Sequence, residues 1–377
     1  MLGATFLASV SGGALASGVF FVARQEYGFR PFDNLVLAAA SGAAYTLVAR
    51  VASRVVARLD ALTGPRGALQ LSLAVWGLSS LLPLVPGGGA PGLWGATLGG
   101  AIASAITWPV MQSFLGAGRS GPRLRAAIGW FNVTWTPATA VPLLLMPVFA
   151  AHDVRYMLAL SAVTNLGAMA FVLRFPPRPG RESAEDAAVA TPPAYPALLA
   201  SVSWLLPLSY VMSFVLAPLL PERTTQVGVA QDWGGVVAAT WMIARVVVLV
   251  AMWRSPFWHG RWGALLAAAV ALIAGTGMAL LGASVGVLVV GLALFGTGMA
   301  LTYYAALYYR LAVGRGSADA GGRFESLVGL GSFVGPLVGI AAYSLARGAD
   351  ARLLTAGVLA VVTVAACTLA ARPYRGA

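Results

Sequence analysis

The chain has 377 residues, of which 59% are hydrophobic and only 10% charged. Soluble domains carry roughly 25% charged residues, so a water-soluble globule is excluded, and so few polar residues exclude disorder. The net charge is +12 and every one of the 24 basic residues is arginine, while a single cysteine, Cys367, excludes an intrachain disulfide framework. What remains is an all-α membrane protein that crosses the bilayer many times.

A helix needs about 20 apolar residues to cross the hydrocarbon core. Twelve segments meet that length in chain order: 4–23, 34–53, 68–85, 94–115, 127–149, 156–174, 196–220, 234–253, 262–282, 286–309, 326–346 and 353–371. The first has no basic leader and too long an apolar run for a signal peptide, so it is expected to be a retained helix. Short turn-forming breaks separate the spans, such as Gly64-Pro65 and Pro86-Gly87-Gly88-Gly89. Little chain is left for a soluble domain, so any function must sit among the helices or at their mouths.

The arginines set the expected orientation. With both termini on the cytoplasmic side, seventeen arginines fall on inner segments and six on outer ones, and Arg245 lies within a span. That asymmetry obeys the positive-inside rule and favours an even number of crossings. It also accounts for the basic balance without nucleic acid.

The longest polar stretch, from Arg174 to Tyr195, holds Pro176-Pro177, the acids Glu182, Glu185 and Asp186, and Pro192-Pro193. It reads as an extended linker. The expected organisation is a six-helix bundle over 1–174, a cytoplasmic linker over 175–195 and a second six-helix bundle over 196–377. An internal echo supports two pseudo-repeats. Ala105-Ile106-Thr107-Trp108, Gly118-Arg119 and Ala127-Ile128-Gly129 recur in order as Ala300-Leu301-Thr302-Tyr303, Gly314-Arg315 and Leu327-Val328-Gly329. Parallel six-helix repeats are one transporter architecture.

Three short patches carry a family resemblance. The segment between the second and third spans, Ala57-Arg58-Leu59-Asp60-Ala61-Leu62-Thr63-Gly64-Pro65-Arg66, is similar to the loop motif of the major facilitator superfamily, keeping its Asp, Gly and final Arg with one extra residue of spacing. Ile128-Gly129-Trp130-Phe131-Asn132-Val133-Thr134-Trp135 resembles the opening of span five in some bacterial members. Gly329-Leu330-Gly331-Ser332-Phe333-Val334-Gly335-Pro336 resembles their Gly-rich span eleven. The resemblance implies twelve helices in two halves and a secondary transporter in a bacterial cytoplasmic membrane. It would move a small organic solute by alternating access. It also implies that Asp60 and Arg66 brace neighbouring helices on the cytoplasmic side.

Polar residues inside the spans are the candidate site. An arginine at a helix centre costs about 2.5–3.5 kcal/mol on insertion scales and is tolerated where it meets water or a partner. Arg245 either binds an anionic group of the substrate or a gating carboxylate, or is structural, bonded to backbone carbonyls or snorkelling to the surface. Asn132 and Gln112 either contact substrate or bond to a neighbouring helix. Trp108, Tyr303 and Tyr304 either line the inner end of a cavity or belong to the interfacial aromatic belt. Arg50 stands at the expected inner mouth, on one helical face with Arg54 and Arg58. Glu325 is expected at the entrance of span eleven, and no carboxylate is expected near the centre of a span. H+ and Na+ are both candidate coupling ions, and uncoupled facilitation stays open.

No His-Glu-x-x-His, paired cysteine or phosphate loop is present in the sequence, so neither an enzyme nor a metal or other cofactor is expected. Partners are expected to be a small-molecule substrate and the lipid bilayer, with the chain acting as a monomer. Export of hydrophobic compounds and a lipid-handling or non-transporting protein of the same architecture are the rival functions.

Overall fold

The computed structural model describes residues 1–119, 121–180, 192–313, 318–346 and 350–375, and for 52, 53, 56, 57, 59–62, 121, 122, 318–323 and 375 the backbone alone. Among the described residues there is no strand. Eleven helices are long and apolar enough to cross a membrane, and a shorter apolar one joins them. In chain order these are α1 Leu2–Tyr27, α2 Pro31–Val51, α3 Thr63–Leu84, α4 Gly89–Gly116, α5 Arg123–Ala150, α6 Tyr156–Val172, α7 Tyr195–Gln226, α8 Gln231–Arg254, α9 Trp262–Leu281, α10 Val285–Val313, α11 Phe324–Leu345 and α12 Ala351–Tyr374. Each expected span is thus a helix. The face on which α1 begins is called the terminal face below.

One boundary differs from the sequence expectation. The stretch between α2 and α3 was expected to be a loop, but the helix begun at Pro31 continues until Gly64, the sole non-helical position before Ser80. Gly64 has φ 73° and ψ 169°, a backbone shape open to glycine, and the ring of Pro65 keeps its predecessor out of the helical region. Helix α1 also departs from regularity, with a π-helical stretch at Ala14–Gly18.

Packing follows the two-repeat plan. Helix α1 packs on α5 and α6, and α7 packs in the same way on α11 and α12. A chemical repeat marks the equivalent corners. Before α6, both carboxylate oxygens of Asp153 accept hydrogen bonds from Arg155, with Nε to Oδ1 at 3.0 Å and Nη2 to Oδ2 at 2.7 Å. Before α12, Arg352 does the same with Asp350, at 2.9 and 2.5 Å. Each arginine then reaches the end of the first helix of its own half: Arg155 lies 3.4 Å from Glu26, and Arg352 donates to Gln226 at 3.3 Å.

Lipid tails give apolar helices no hydrophobic drive toward each other, so association rests on close packing. The backbones meet closely at small residues. A Cβ placed on Gly13 of α1 would stand 2.0 Å from the Thr139 carbonyl oxygen of α5, and one on Gly296 of α10 would stand 2.0 Å from the Trp241 carbonyl of α8. The outer wall instead carries exposed apolar side chains, among them Leu47, Leu78, Val163, Leu266 and Val361, as a lipid-facing surface requires. The halves meet along two seams, α2 on α11 and α5 on α8.

Candidate functional site

A cavity of about 220 Å³ lies between the halves. Helices α1 to α5 wall one side and α7, α8, α10 and α11 the other. The π-helical stretch of α1 contributes Leu15, Ala16 and Ser17 to the wall, and such stretches recur at functional sites. Most of the lining is apolar and aromatic, with Trp76, Trp108, Phe131, Trp135, Phe214 and Trp241 prominent. Its charged side chains are Arg245 and Glu325.

Arg245 is 3% exposed. Its guanidinium carbon stands 4.4 Å from the ring centre of Trp135 and 4.7 Å from that of Tyr303. Those two rings meet edge to face at 5.2 Å and form an aromatic corner beside the cation. Trp135 comes from the first half and Tyr303 from the second, so the corner closes only when the halves approach. Nε and Nη2 of Arg245 are buried and have no hydrogen-bond partner. Among the described residues no carboxylate lies within ion-pair distance of it. A buried cation with unmet donors is costly unless a ligand or water completes it.

Glu325 is 5% exposed and lines the same cavity. Its Oε2 accepts from the Tyr45 hydroxyl at 2.6 Å and its Oε1 from the Gln112 amide at 2.5 Å. The bonds join α11 of the second half to α2 and α4 of the first. Glu325 stands at the start of α11, where the sequence places it, and its side chain is buried in the cavity wall. Beside it, Thr46 of α2 donates to the Gly329 carbonyl of α11 at 2.7 Å.

Toward the opposite face the halves are held by other groups. Arg24 of α1 pairs with Glu222 of α7 at 2.6 Å. Gln25 donates to the Gln231 carbonyl at 3.2 Å. Asn34, 1% exposed, donates to the carbonyls of Phe20 and Pro218 at 3.2 and 3.3 Å. Contacts between the halves therefore flank the cavity on both sides.

Neither any family model nor any curated protein matches this sequence. Solved structures do match its course. The human organic anion transporter MFSD10 (TETRAN) aligns over 97% of each chain at 14% identity, with a TM-score of 0.65. The nucleoside transporter NupG aligns over 98% of each chain at 13% identity and a TM-score of 0.68. A POT family transporter in complex with 5-aminolevulinic acid aligns over 99% of this chain and 95% of that one, at 10% identity and a TM-score of 0.73. The chain shares the fold of these transporters.

Within that fold the residues singled out from sequence separate into groups. Arg245, Gln112, Trp108 and Tyr303 line the cavity. Trp108 and Tyr303 take different neighbours, Trp76 at 6.4 Å for the first and Trp135 and Phe324 at 5.2 Å for the second. Asn132 is fully buried behind the wall, where its Oδ1 accepts from the indole nitrogen of Trp135 at 2.9 Å. It is a positioning residue for Trp135 and not part of the lining. Tyr304 also lies off the cavity, packed on Trp258 with ring centres 5.2 Å apart.

The expected gating residues fare differently. Arg50 is exposed on α2 and does not line the cavity. Arg66 donates to the Phe175 carbonyl at 3.1 Å, tying the start of α3 to the end of α6 within the first half. The side chain of Asp60 lies outside the described residues, as do Gly314 and Arg315 of the internal echo. Sequence reasoning missed Tyr45, Trp135, Asn34, the Arg24–Glu222 pair and Tyr210, which also lines the cavity. A helical-wheel comparison of α5 and α8 could have found Trp135, because Asn132 and Trp135 sit one turn apart on the face that meets Arg245.

Outside the spans, charge and burial move several ionisable groups. Hydrogen bonds from Arg352 hold the Asp350 carboxyl down at about 2, and those from Arg155 lower Asp153. Between α8 and α9, His259 stacks on Tyr308 at 4.8 Å. Burial, and then the charge of Arg125, push it down to about 4.

Proposed function

We propose that the chain is a secondary transporter of a small organic anion, working by alternating access in the cytoplasmic membrane. The moving bodies are residues 1–174 and 196–377, joined by the linker 175–195, and the seventeen-to-six arginine asymmetry puts the terminal face in the cytoplasm. One observation carries the reading: Arg245 is buried on the wall of a cavity shared by both halves, with two donors unmet. A ligand anion would complete it. The aromatic lining suits an apolar substrate body, which accommodates what the efflux reading requires while Arg245 adds the demand for negative charge. One neighbour in the fold is an organic anion transporter, which agrees with this.

The bonds on the two sides of the cavity suit a rocking cycle. The contacts of Arg24, Gln25 and Asn34 hold one face shut, and those of Glu325 with Tyr45 and Gln112 hold the other. Glu325 is a buried carboxylate that accepts from neutral donors, so it offers a proton site and favours H+ over Na+ as the coupling ion. The test is uptake into proteoliposomes of a panel of labelled organic anions, neutral drugs and a labelled phospholipid. Accumulation of anions, lost in Arg245→Ala protein that still inserts and elutes as wild type, is the expected result. Movement of neutral drugs or phospholipid alone, or unchanged anion uptake in Arg245→Ala, would reject the reading.

A further inference from the structure

The edge of Arg245 that is unmet is a particular one. Nε and Nη2 project their N–H groups in parallel, and together they match the two oxygens of one carboxylate. This protein uses the same edge twice elsewhere. Arg155 presents Nε and Nη2 to the two oxygens of Asp153, and Arg352 presents them to those of Asp350. In Arg245 the equivalent pair is buried on the cavity wall with no acceptor. Trp135 and Tyr303 occupy one side of the guanidinium and restrict the directions from which an anion can come.

We propose that Arg245 takes a substrate carboxylate side-on through its Nε–Nη2 edge, and that the cargo is a monocarboxylate with an apolar or aromatic body. This rests on the reading of the cavity as the transport site. Three observations narrow the class. Arg245 is the cationic residue of the lining, so one negative charge is matched. Glu325, the other charged residue of the lining, opposes a second carboxylate. The remaining wall is mainly apolar and aromatic, and the two parallel N–H groups of the free edge match the two oxygens of a carboxylate and leave the third oxygen of a phosphonate or sulfonate outside the fork.

The experiment measures binding to the full-length protein in nanodiscs by tryptophan fluorescence and thermal shift. The probes are benzoate, 3-phenylpropionate, hexanoate, benzenesulfonate, phenylphosphonate, terephthalate and benzamide. Monocarboxylates are expected to bind at least about 30-fold tighter than benzamide, the scale set by losing one partner of a buried charge pair. They should also bind at least about tenfold tighter than the sulfonate, phosphonate and dicarboxylate, since charge-assisted pairs gain from matched geometry. Arg245→Lys keeps the charge without the fork and should bind carboxylate and sulfonate alike.

Equal binding of sulfonate and carboxylate by the wild type, with both lost in Arg245→Ala, would overturn the fork and leave the anion reading standing. Anion binding that persists in Arg245→Ala would overturn both. Failure of all three monocarboxylates would overturn the proposal, while the uptake panel judges the transport reading separately. The selectivity series on the wild type is decisive even where a variant fails to fold.

Discussion

The Arg24–Glu222 pair supplies a measurable handle on the equilibrium between conformations. It joins α1 to α7 at 2.6 Å, with side chains 30% and 25% exposed, so it exists only when the two halves meet opposite the terminal face. Partly solvated pairs of this kind contribute about 0.2–1 kcal/mol. Each 1.36 kcal/mol is tenfold in an equilibrium, so losing the pair should raise the population open on that face by at most about fivefold. Full opening also needs the Gln25 and Asn34 hydrogen bonds to part, so Glu222→Gln should shift the balance without abolishing closure.

The assay starts from Cys367→Ser, which removes the one native thiol, and adds Ser213→Cys on the cavity wall. The rate of labelling by an impermeant thiol reagent added opposite the terminal face reports the open fraction. Glu222→Gln should label up to about fivefold faster. Glu222→Arg should label faster still, because it sets two cations together. The double reversal Arg24→Glu with Glu222→Arg should return the rate toward wild type. At 1 M salt, where the Debye length is about 3 Å, the differences should shrink. A charge reversal that leaves the rate unchanged, or a double reversal that fails to restore it, would refute the gating assignment.

Two further outcomes are expected. A Cβ on Gly42 would stand 2.3 Å from the Ser332 carbonyl oxygen across the seam between the halves, so Gly42→Ala should overpack that seam by about 1–3 kcal/mol; uptake assays should show a slowed cycle, and a wild-type rate with unchanged labelling would contradict the close approach. His259, held down at about 4 against an ordinary 6.5, stays neutral in the folded protein while the unfolded chain takes up a proton, so stability should fall as pH drops from about 6.5 toward 4; His259→Phe, which keeps the ring on Tyr308, should flatten that part of the melting-temperature profile, and an unaltered slope would show that another group is responsible.

The membrane class, the helices and the two-repeat plan were legible because bilayer thickness imposes a run length that composition cannot hide. Arg245 was legible for the same reason, since a guanidinium in an apolar run stands out in a one-dimensional reading. The place of Glu325 at the start of α11 was legible too, but its burial was not, because that depends on Tyr45 and Gln112 closing on it from the other half. The helical course of 54–63 was hidden likewise, because charge marks water exposure and not the end of a helix. Asn132 showed as a polar residue in a span, but its bond to Trp135 one turn on depends on side-chain rotamers that the sequence does not display. The Asp-x-Arg corners at Asp153–Arg155 and Asp350–Arg352 were readable in retrospect as a six-helix echo, with the same two-residue spacing before the last helix of each half.

Those corners also sharpen what is unusual in the cavity. The protein places arginines beside carboxylates where the chain turns at its surface, and there each fork is filled from two residues away. In the cavity it separates the two charges: Arg245 on α8 faces the aromatic corner, and Glu325 on α11 is held by Tyr45 and Gln112 of the other half. Had the two paired directly, the site would be neutral and closed to an anion. In the proposed cycle, keeping them apart leaves a donor edge for an anion and ties the carboxylate to the seam between the halves. Trp135 completes the link, because one ring from the first half rests on the cation of the second and is oriented by Asn132 behind it. An anion settling on Arg245 therefore meets a surface assembled by both halves, and its binding energy is available to hold them together.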